Sequence, residues 1–508
     1  MAATLNCTSL NGTLLEMCVT LFDAAQTVTP INCFDTTTLP LGYTTSEGTC
    51  ANYSSSTEKL AGLLGDQGTI DLGNTAWLII SSALVMIMTP GVGLFYAGLA
   101  GEEAASNTLL MSYAALCIVT VQWFLFGYSL AFGPGTAGLG TFSFGAMNMV
   151  GFAPSGGYTA GIPHIVFVAF QCMFAQITPA IISGALIGRM KFSAWCIFVF
   201  IWTTVIYDPI AHWVWSFNID PSTGTSYASG FLGSLGSLDF AGGTVIHISS
   251  GVAALACAIV LGPRKKSKEE MTPHNVPMII LGATFLWFGW FGFNAGSATS
   301  ASPLASFAFI NTHLATAMAT LSWIAMEKLV GSSPTVAGAA SGAVAGLVAI
   351  TPGCGFVTPW ASVIFGIVVS PICYGAAQLR KRFPVDDTLD SFAVHGVGGA
   401  VGAFLTGLFA DPAINPPFTG AFYGNPIQIG YQMAAIVVSA VFSFVGSFLI
   451  MLFLKFTIGV RLDEESERMG IDVSEHGGLA YSTNASESSI APTKVSEYKG
   501  ENPVYEHS

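Results

Sequence analysis

The chain has 508 residues, of which 52% are hydrophobic and only 9% charged, with 57 glycines and a formal net charge of −13. A soluble domain carries about 25% charged residues, so the composition excludes an ordinary soluble fold and predicts a polytopic membrane protein, its helices satisfying their own backbone hydrogen bonds. Much of the negative charge falls in the two tails and no basic patch is present, which excludes a nucleic-acid partner.

Residues 1–75 read as a polar, acidic N-terminal tail, with no basic start leading into the continuous apolar core of a signal peptide. The tail holds Cys7, Cys18, Cys33 and Cys50, which fit two disulfides of open connectivity. It also carries the glycosylation acceptor patterns at Asn6, Asn11 and Asn52. Such patterns also arise by chance in a stretch rich in Thr, Ser and Asn. An external tail favours the functional reading and suggests a eukaryotic protein of the plasma membrane.

From 76 to 457 follow eleven apolar segments, centred near Val85, Val119, Phe174, Phe200, Ala253, Phe285, Ala317, Ala343, Gly366, Val401 and Val441. A bilayer needs about 20 apolar residues per helix, so the reading is all-α, with eleven transmembrane helices. Arg189 and Lys191 lie in one connection, and Arg264, Lys265, Lys266 and Lys268 two connections later. Lys328 and then Arg380, Lys381 and Arg382 follow at the same step, and the last five basic residues border or occupy the C-terminal tail. Of 16 basic residues only Lys59 falls on the other side. The positive-inside rule then puts the N-terminus outside and residues 458–508 in the cytosol. The first inside loop, with Glu102 and Glu103 and no base, is the exception.

Within the spans, two stretches nearly repeat: Asp239-Phe-Ala-Gly-Gly-Thr-Val-Ile-His247-Ile-Ser-Ser-Gly251 and Asp387-Thr-Leu-Asp-Ser-Phe-Ala-Val-His395-Gly-Val-Gly-Gly399. An ionisable residue inside a membrane is by default functional, and a pair in matching contexts suggests duplicated halves meeting at one site. A structural His–His hydrogen bond is the plainer reading. Proton relay is the better one, since imidazole titrates near neutrality and can pass a proton between its two nitrogens. Asp239 and Asp387 stand at helix-cap distance. Capping alone explains Asp387; Asp239, at the outer mouth, would also favour a cation. His164 and His212 fall at outer span ends, His274, His476 and His507 read as solvated, and His313 as a satisfied packing residue.

Aromatic clusters run through Phe170-Gln-Cys-Met-Phe174, through His212-Trp-Val-Trp215, and from Leu286 to Ser297, where aromatics interleave with glycine. Packing or an interfacial belt is the usual reason for such stripes. Ring faces also attract small cations by about 0.5–2 kcal/mol.

Together with Pro90-Gly-Val-Gly-Leu-Phe-Tyr96-Ala-Gly and Trp290-Phe-Gly-Phe-Asn-Ala-Gly-Ser297, these motifs resemble the ammonium transporter family (Amt/Mep, distantly Rh) from about Leu78 to Tyr481. The resemblance implies two inverted five-helix halves, a peripheral eleventh helix and a homotrimer with one pore per subunit. It also implies an outer recruitment site of Phe170, Trp215 and Ser297 supported by Asp239, a gate of Phe174 and Phe293, and the twin histidines His247 and His395 lining an apolar pore. Tyr96 and Trp290 are further lining residues. The tail from Gly459 to Gly478 resembles the family's regulatory C-terminus, with Ser474 at the place where plant members carry a phosphorylated Thr, which implies a kinase as partner. The connection from Asn218 to Leu238, the Glu102-Glu103 loop and the cysteine-bearing outer tail depart from the pattern.

The function implied is selective transport of ammonium, with methylammonium as analogue, and no enzymatic step, metal or cofactor. Ammonium differs from potassium in donating hydrogen bonds and in losing a proton. A pore that strips the proton and passes ammonia therefore excludes metal ions. Two rivals are an ammonium sensor signalling through the tail and a membrane oxidoreductase with a histidine-ligated haem.

Overall fold

The computed structural model describes residues 70–155, 157–158, 161–219, 226–265 and 272–481. The candidate glycosylation sites Asn6, Asn11 and Asn52 and the four tail cysteines lie outside the described residues.

Among the described residues, ten helices are long and apolar enough to cross a membrane: α1 (Leu72–Leu99), α2 (Glu102–Phe132), α3 (His164–Ala185), α4 (Phe192–Trp215), α5 (Gly243–Leu261), α6 (Val276–Gly296), α7 (Pro303–Leu329), α9 (Pro359–Arg380), α10 (Phe392–Phe409) and α11 (Ile427–Thr457). An eleventh apolar helix, α8 (Val336–Ile350), is shorter and runs on into turns as far as Val357. The eleven expected spans are therefore present, each holding its expected centre. A short hairpin of β1 (Phe217–Ile219) and β2 (Ser226–Ala228) lies in the long connection between α4 and α5. Two short helices, α12 (Glu464–Met469) and α13 (Ile471–His476), form the described part of the tail.

Helix starts carry their own signals. Asp71 caps α1 through the Asn74 amide, Asn275 caps α6 through Met278, and Thr335 caps α8 through Gly338. A side-chain oxygen at such a position satisfies donors that the helix cannot. Hydroxyls inside the spans mostly turn back on the carbonyl four residues earlier, as Thr178, Thr203, Thr312 and Thr406 do, which hides them from lipid.

Arg189, between α3 and α4, is wholly buried. Its guanidinium donates to the carbonyls of Ala185, Ile187 and Gly262, to that of Asp386 and to Thr388 Oγ1. Burial pulls its pKa down to about 10 against the raising effect of Asp386. This contact places the end of α5 beside the start of α10, so the two histidine helices run antiparallel.

Candidate functional site

α5 and α10 begin alike. Each opens with a π-turn, Gly243–Ile248 and Phe392–Val397, and each π-turn contains its histidine. Such turns are rare and collect at functional sites. Asp239 Oδ1 accepts from the amides of Gly242 and Gly243 at 2.8 and 2.6 Å, and Oδ2 from the Thr244 amide at 2.7 Å and the Thr244 hydroxyl. Asp387 does the same for α10, through the amides of Ser391 and Phe392 at 3.0 and 2.8 Å. Both aspartates are buried and both cap, at opposite faces of the bundle. Burial raises both carboxyls, that of Asp387 to about 7 with the Asp390 charge beside it adding to the shift. For Asp386, burial is outweighed by the hydrogen bond from Arg264 and the charge of Arg189, and its carboxyl lies below the usual range.

The antiparallel crossing brings the two motifs face to face. His247 Nδ1 and His395 Nδ1 are 3.3 Å apart, and both rings are buried. A hydrogen bond between like nitrogens requires one ring to donate and the other to accept. The pair therefore holds complementary tautomers, and a proton shift through it exchanges them. Each ring is thus set to hydrogen-bond the other.

On one side of the pair lies a column of rings. Trp215 meets the Phe174 ring edge-on at 6.1 Å between centroids, with its indole nitrogen donating to the Asp239 carbonyl at 2.8 Å. Phe170 leans on Phe174 at 4.8 Å. Phe174 and Phe293 stack at 4.2 Å and 7°. Below them His247 lies 5.3 Å from Trp290, near-parallel, and 6.2 Å from Phe293. Trp290 is fixed by a 2.8 Å hydrogen bond to Thr351 Oγ1. His247 Nε2 has no partner among the described residues. Ser297, half-buried at the end of α6, donates to the Phe293 carbonyl at 2.8 Å, and none of the described residues donates to its hydroxyl oxygen. It follows Gly296, which abuts the Phe170 ring. On the other side of the pair stand Tyr96 and Ser391, their hydroxyls 3.2 Å apart.

A family model described as Ammonium Transporter Family matches residues 76–481 of this chain. The chain belongs to the ammonium transporter family. It is 44% identical over 414 residues to the ammonium transporter of Bacillus subtilis, covering 81% of this chain and 99% of that protein. It is 43% identical over 437 residues to Ammonium transporter 1 of Schizosaccharomyces pombe, covering 82% and 85%. The crystal structure of Saccharomyces cerevisiae Mep2 matches with a TM-score of 0.72 and 36% identity, covering 79% of this chain and 90% of that one. The all-α, eleven-span architecture is thus that of ammonium transporters.

Several residues behave otherwise than the sequence suggests. His274 and His476 are not solvated loop residues: His274 bonds the Ala100 carbonyl and the Tyr481 hydroxyl, and His476 bonds Asn107 Oδ1 at 2.9 Å. Both help to hold a docked tail. Asp472 takes the amides of Ser106 and Asn107, both at 2.8 Å, and Glu475 takes that of Phe192 at 2.9 Å. These are the starts of the α2 and α4 segments, neither of which has a side-chain cap of its own. Arg461 donates to the carbonyls of Leu261 and Pro263 at the end of α5. Each tail charge sits at the helix end whose dipole it complements. His313 is not a packed interior residue; it touches the rings of Trp287 and Phe291 and is exposed on the outer surface of α7. His164 and His212, by contrast, make the hydrogen bonds that their positions at span ends suggest, to Tyr128 and to the carbonyls of Ala131 and Thr136, and both are buried.

Proposed function

We propose that this chain is a selective ammonium transporter that binds the cation at the ring cluster of Phe170 and Trp215, removes its proton and passes ammonia through the pore. The observation that carries this reading is the 3.3 Å contact of two buried histidines directly behind a stacked phenylalanine pair. Ring faces hold a small cation with about 0.5–2 kcal/mol, and Ser297 supplies an acceptor for one of its hydrogens. Asp239 acts through the helix start it holds and the Trp215 indole its carbonyl anchors.

The stacked rings of Phe174 and Phe293 must part for anything to pass, and the apolar passage penalises charge. His247 Nε2, without a partner among the described residues, takes the proton. The pair then relays it through Nδ1–H···Nδ1 to His395, while ammonia moves beside it. Potassium offers no proton and stays behind.

A homotrimer accounts for His313. An exposed imidazole well inside a 27-residue span faces hydrocarbon unless another subunit covers it. The basic connections, including Arg189, Arg264 and Arg380, favour an N-terminus outside and a cytosolic tail. A plasma-membrane location fits the acceptor asparagines. Ser474 stands between Asp472 and Glu475, and a phosphate there would repel both carboxylates and undock the tail. A kinase is the implied partner. Sensing through this docked tail is the second reading.

Radiolabelled methylammonium uptake into liposomes holding the purified protein, with excess potassium and competing ammonium, tests the proposal. Saturable uptake blocked by ammonium and indifferent to potassium is expected. His395→Ala should alter flux or selectivity; a variant matching the original in both removes the relay. A folded, oriented protein without uptake favours the sensor.

A further inference from the structure

Beneath the histidine pair, on the side away from the aromatic column, the structure contains a cavity of about 10 Å³ bounded by His395, Ser391, Tyr96, Ser341 and Val394. That is about the space of one water-sized molecule. His395 meets His247 through Nδ1, so Nε2 is the ring nitrogen left for this cavity.

The polarity of its floor follows from one carbonyl. Tyr96 OH lies 3.2 Å from the Ile181 carbonyl oxygen and 3.2 Å from Ser391 Oγ. A carbonyl only accepts, so the phenolic hydrogen goes to Ile181. The bond between the two hydroxyls must then run from Ser391 to Tyr96. The single hydrogen of Ser391 is thereby committed, and what it offers the cavity is lone pairs. The hydroxyl pair also has made-to-measure space: a Cβ at Gly184 would fall 2.5 Å from Ser391 Oγ and 2.7 Å from Tyr96 Cζ. The Ser391 backbone is held independently by Asp387, through the amide.

We propose that Ser391 is a further working residue of the pore, an acceptor that holds one small molecule, ammonia or water, against His395. Such a molecule donates a hydrogen to Ser391 Oγ and turns its own lone pair toward His395 Nε2–H. The Nε2–H bond breaks as a new N–H or O–H bond forms. With ammonia the product is ammonium, leaving toward the inner side. With water it is hydronium, which passes its proton to ammonia and is water again. His395 is then neutral with its hydrogen on Nδ1 and His247 neutral with its hydrogen on Nε2, the exchanged tautomers, and the pair must return to its first tautomers before the next proton passes. This inference rests on the twin-histidine relay proposed above.

The test compares Ser391→Val with Ser391→Thr, a near-isosteric pair differing in the hydroxyl, in proteoliposomes where the ammonium-driven current is recorded in H2O and in D2O. Loss of one hydrogen bond lowers the current about three- to tenfold in the Val variant, with a larger H2O/D2O ratio, and the Thr variant stays near the original. A merely structural role would lower the current and leave the isotope ratio unchanged. Methylammonium separates the two occupants: equal losses for both substrates mark water, and a loss confined to ammonium marks ammonia itself. A Val variant with the original current and isotope ratio overturns the inference, provided His395→Ala has lost current. Where His395→Ala also keeps its current, the relay fails and Ser391 with it.

Discussion

Gly251 and Gly399 perform the same duty in opposite halves: each follows its own histidine by four residues and lies against the other's motif. A Cβ added at Gly251 would come within 2.1 Å of the Gly396 nitrogen and 2.9 Å of the His395 carbonyl carbon. One added at Gly399 would lie 3.0 Å from His247 Cβ. The histidines meet because the backbones behind them can touch.

Gly251→Ala should therefore push α5 and α10 apart and break the imidazole pair. Overpacking of this kind costs about 1–3 kcal/mol. Thermal unfolding in detergent should move to lower temperature and methylammonium uptake should fall together. Gly399→Ala, with a longer approach, should cost less. Unchanged uptake and melting in Gly251→Ala would contradict the close crossing.

Asp239 distinguishes a cap from a bare charge. Both of its oxygens bind the start of α5, so Asp239→Ala should lower stability by at least the roughly 0.5–2 kcal/mol of a helix cap and abolish uptake. Asp239→Glu keeps the charge and lengthens the arm. It should fail almost as badly, because the longer carboxylate cannot keep both sets of bonds. Full transport in the Glu variant would make the charge, and not the cap, the working property.

Asp387 makes stability depend on pH. Its carboxyl is raised from the ordinary 3.8 to about 7 in the folded chain, by burial first and by Asp390 next. The folded state thus holds a proton that the unfolded state releases at lower pH. Stability from this group is present below the unfolded value and is lost as pH rises toward 7. Melting temperatures of the original should therefore fall relative to those of Asp387→Asn as pH rises through that window, and the two should run parallel above it. Parallel curves throughout would dismiss the shift.

The tail offers a conformational test. Asp472→Ala strips the α2 start of the side chain that caps Ser106 and Asn107. It should expose the tail to limited proteolysis and change the transport rate. Ser474→Asp, which adds charge between two carboxylates, should act in the same direction, and Ser474→Ala should stay docked. Equal proteolysis in all three would separate Ser474 from docking.

What could be read from the residues alone is what repeats or alternates. The spans were legible because apolar length is dictated by the bilayer, and the aspartate–histidine–glycine spacing pointed to a pair because it occurs twice. The docked tail was not legible. Asp472 and Glu475 bind backbone amides hundreds of residues away, and an amide leaves no mark in a sequence. His274 and His476 looked solvated because their partners, the Ala100 carbonyl, the Tyr481 hydroxyl and Asn107 Oδ1, are also far away in sequence. Ser391 is equally silent, since its role depends on which way a tyrosine's hydrogen points. His313 misled because a polar residue in a span suggests burial within one subunit, whereas here it is exposed on α7.

Arg189 has a consequence for how the molecule can move. Its guanidinium reaches carbonyls and a hydroxyl from the α3 end, the α5 end and the segment leading into α10. It joins the two halves as a rivet joins plates, and Gly251 and Gly396 press them together at mid-depth. A carrier that rocks its halves past each other would have to unmake all of these contacts in every cycle. Contacts of this kind suit a fixed duct better than a pair of rocking halves.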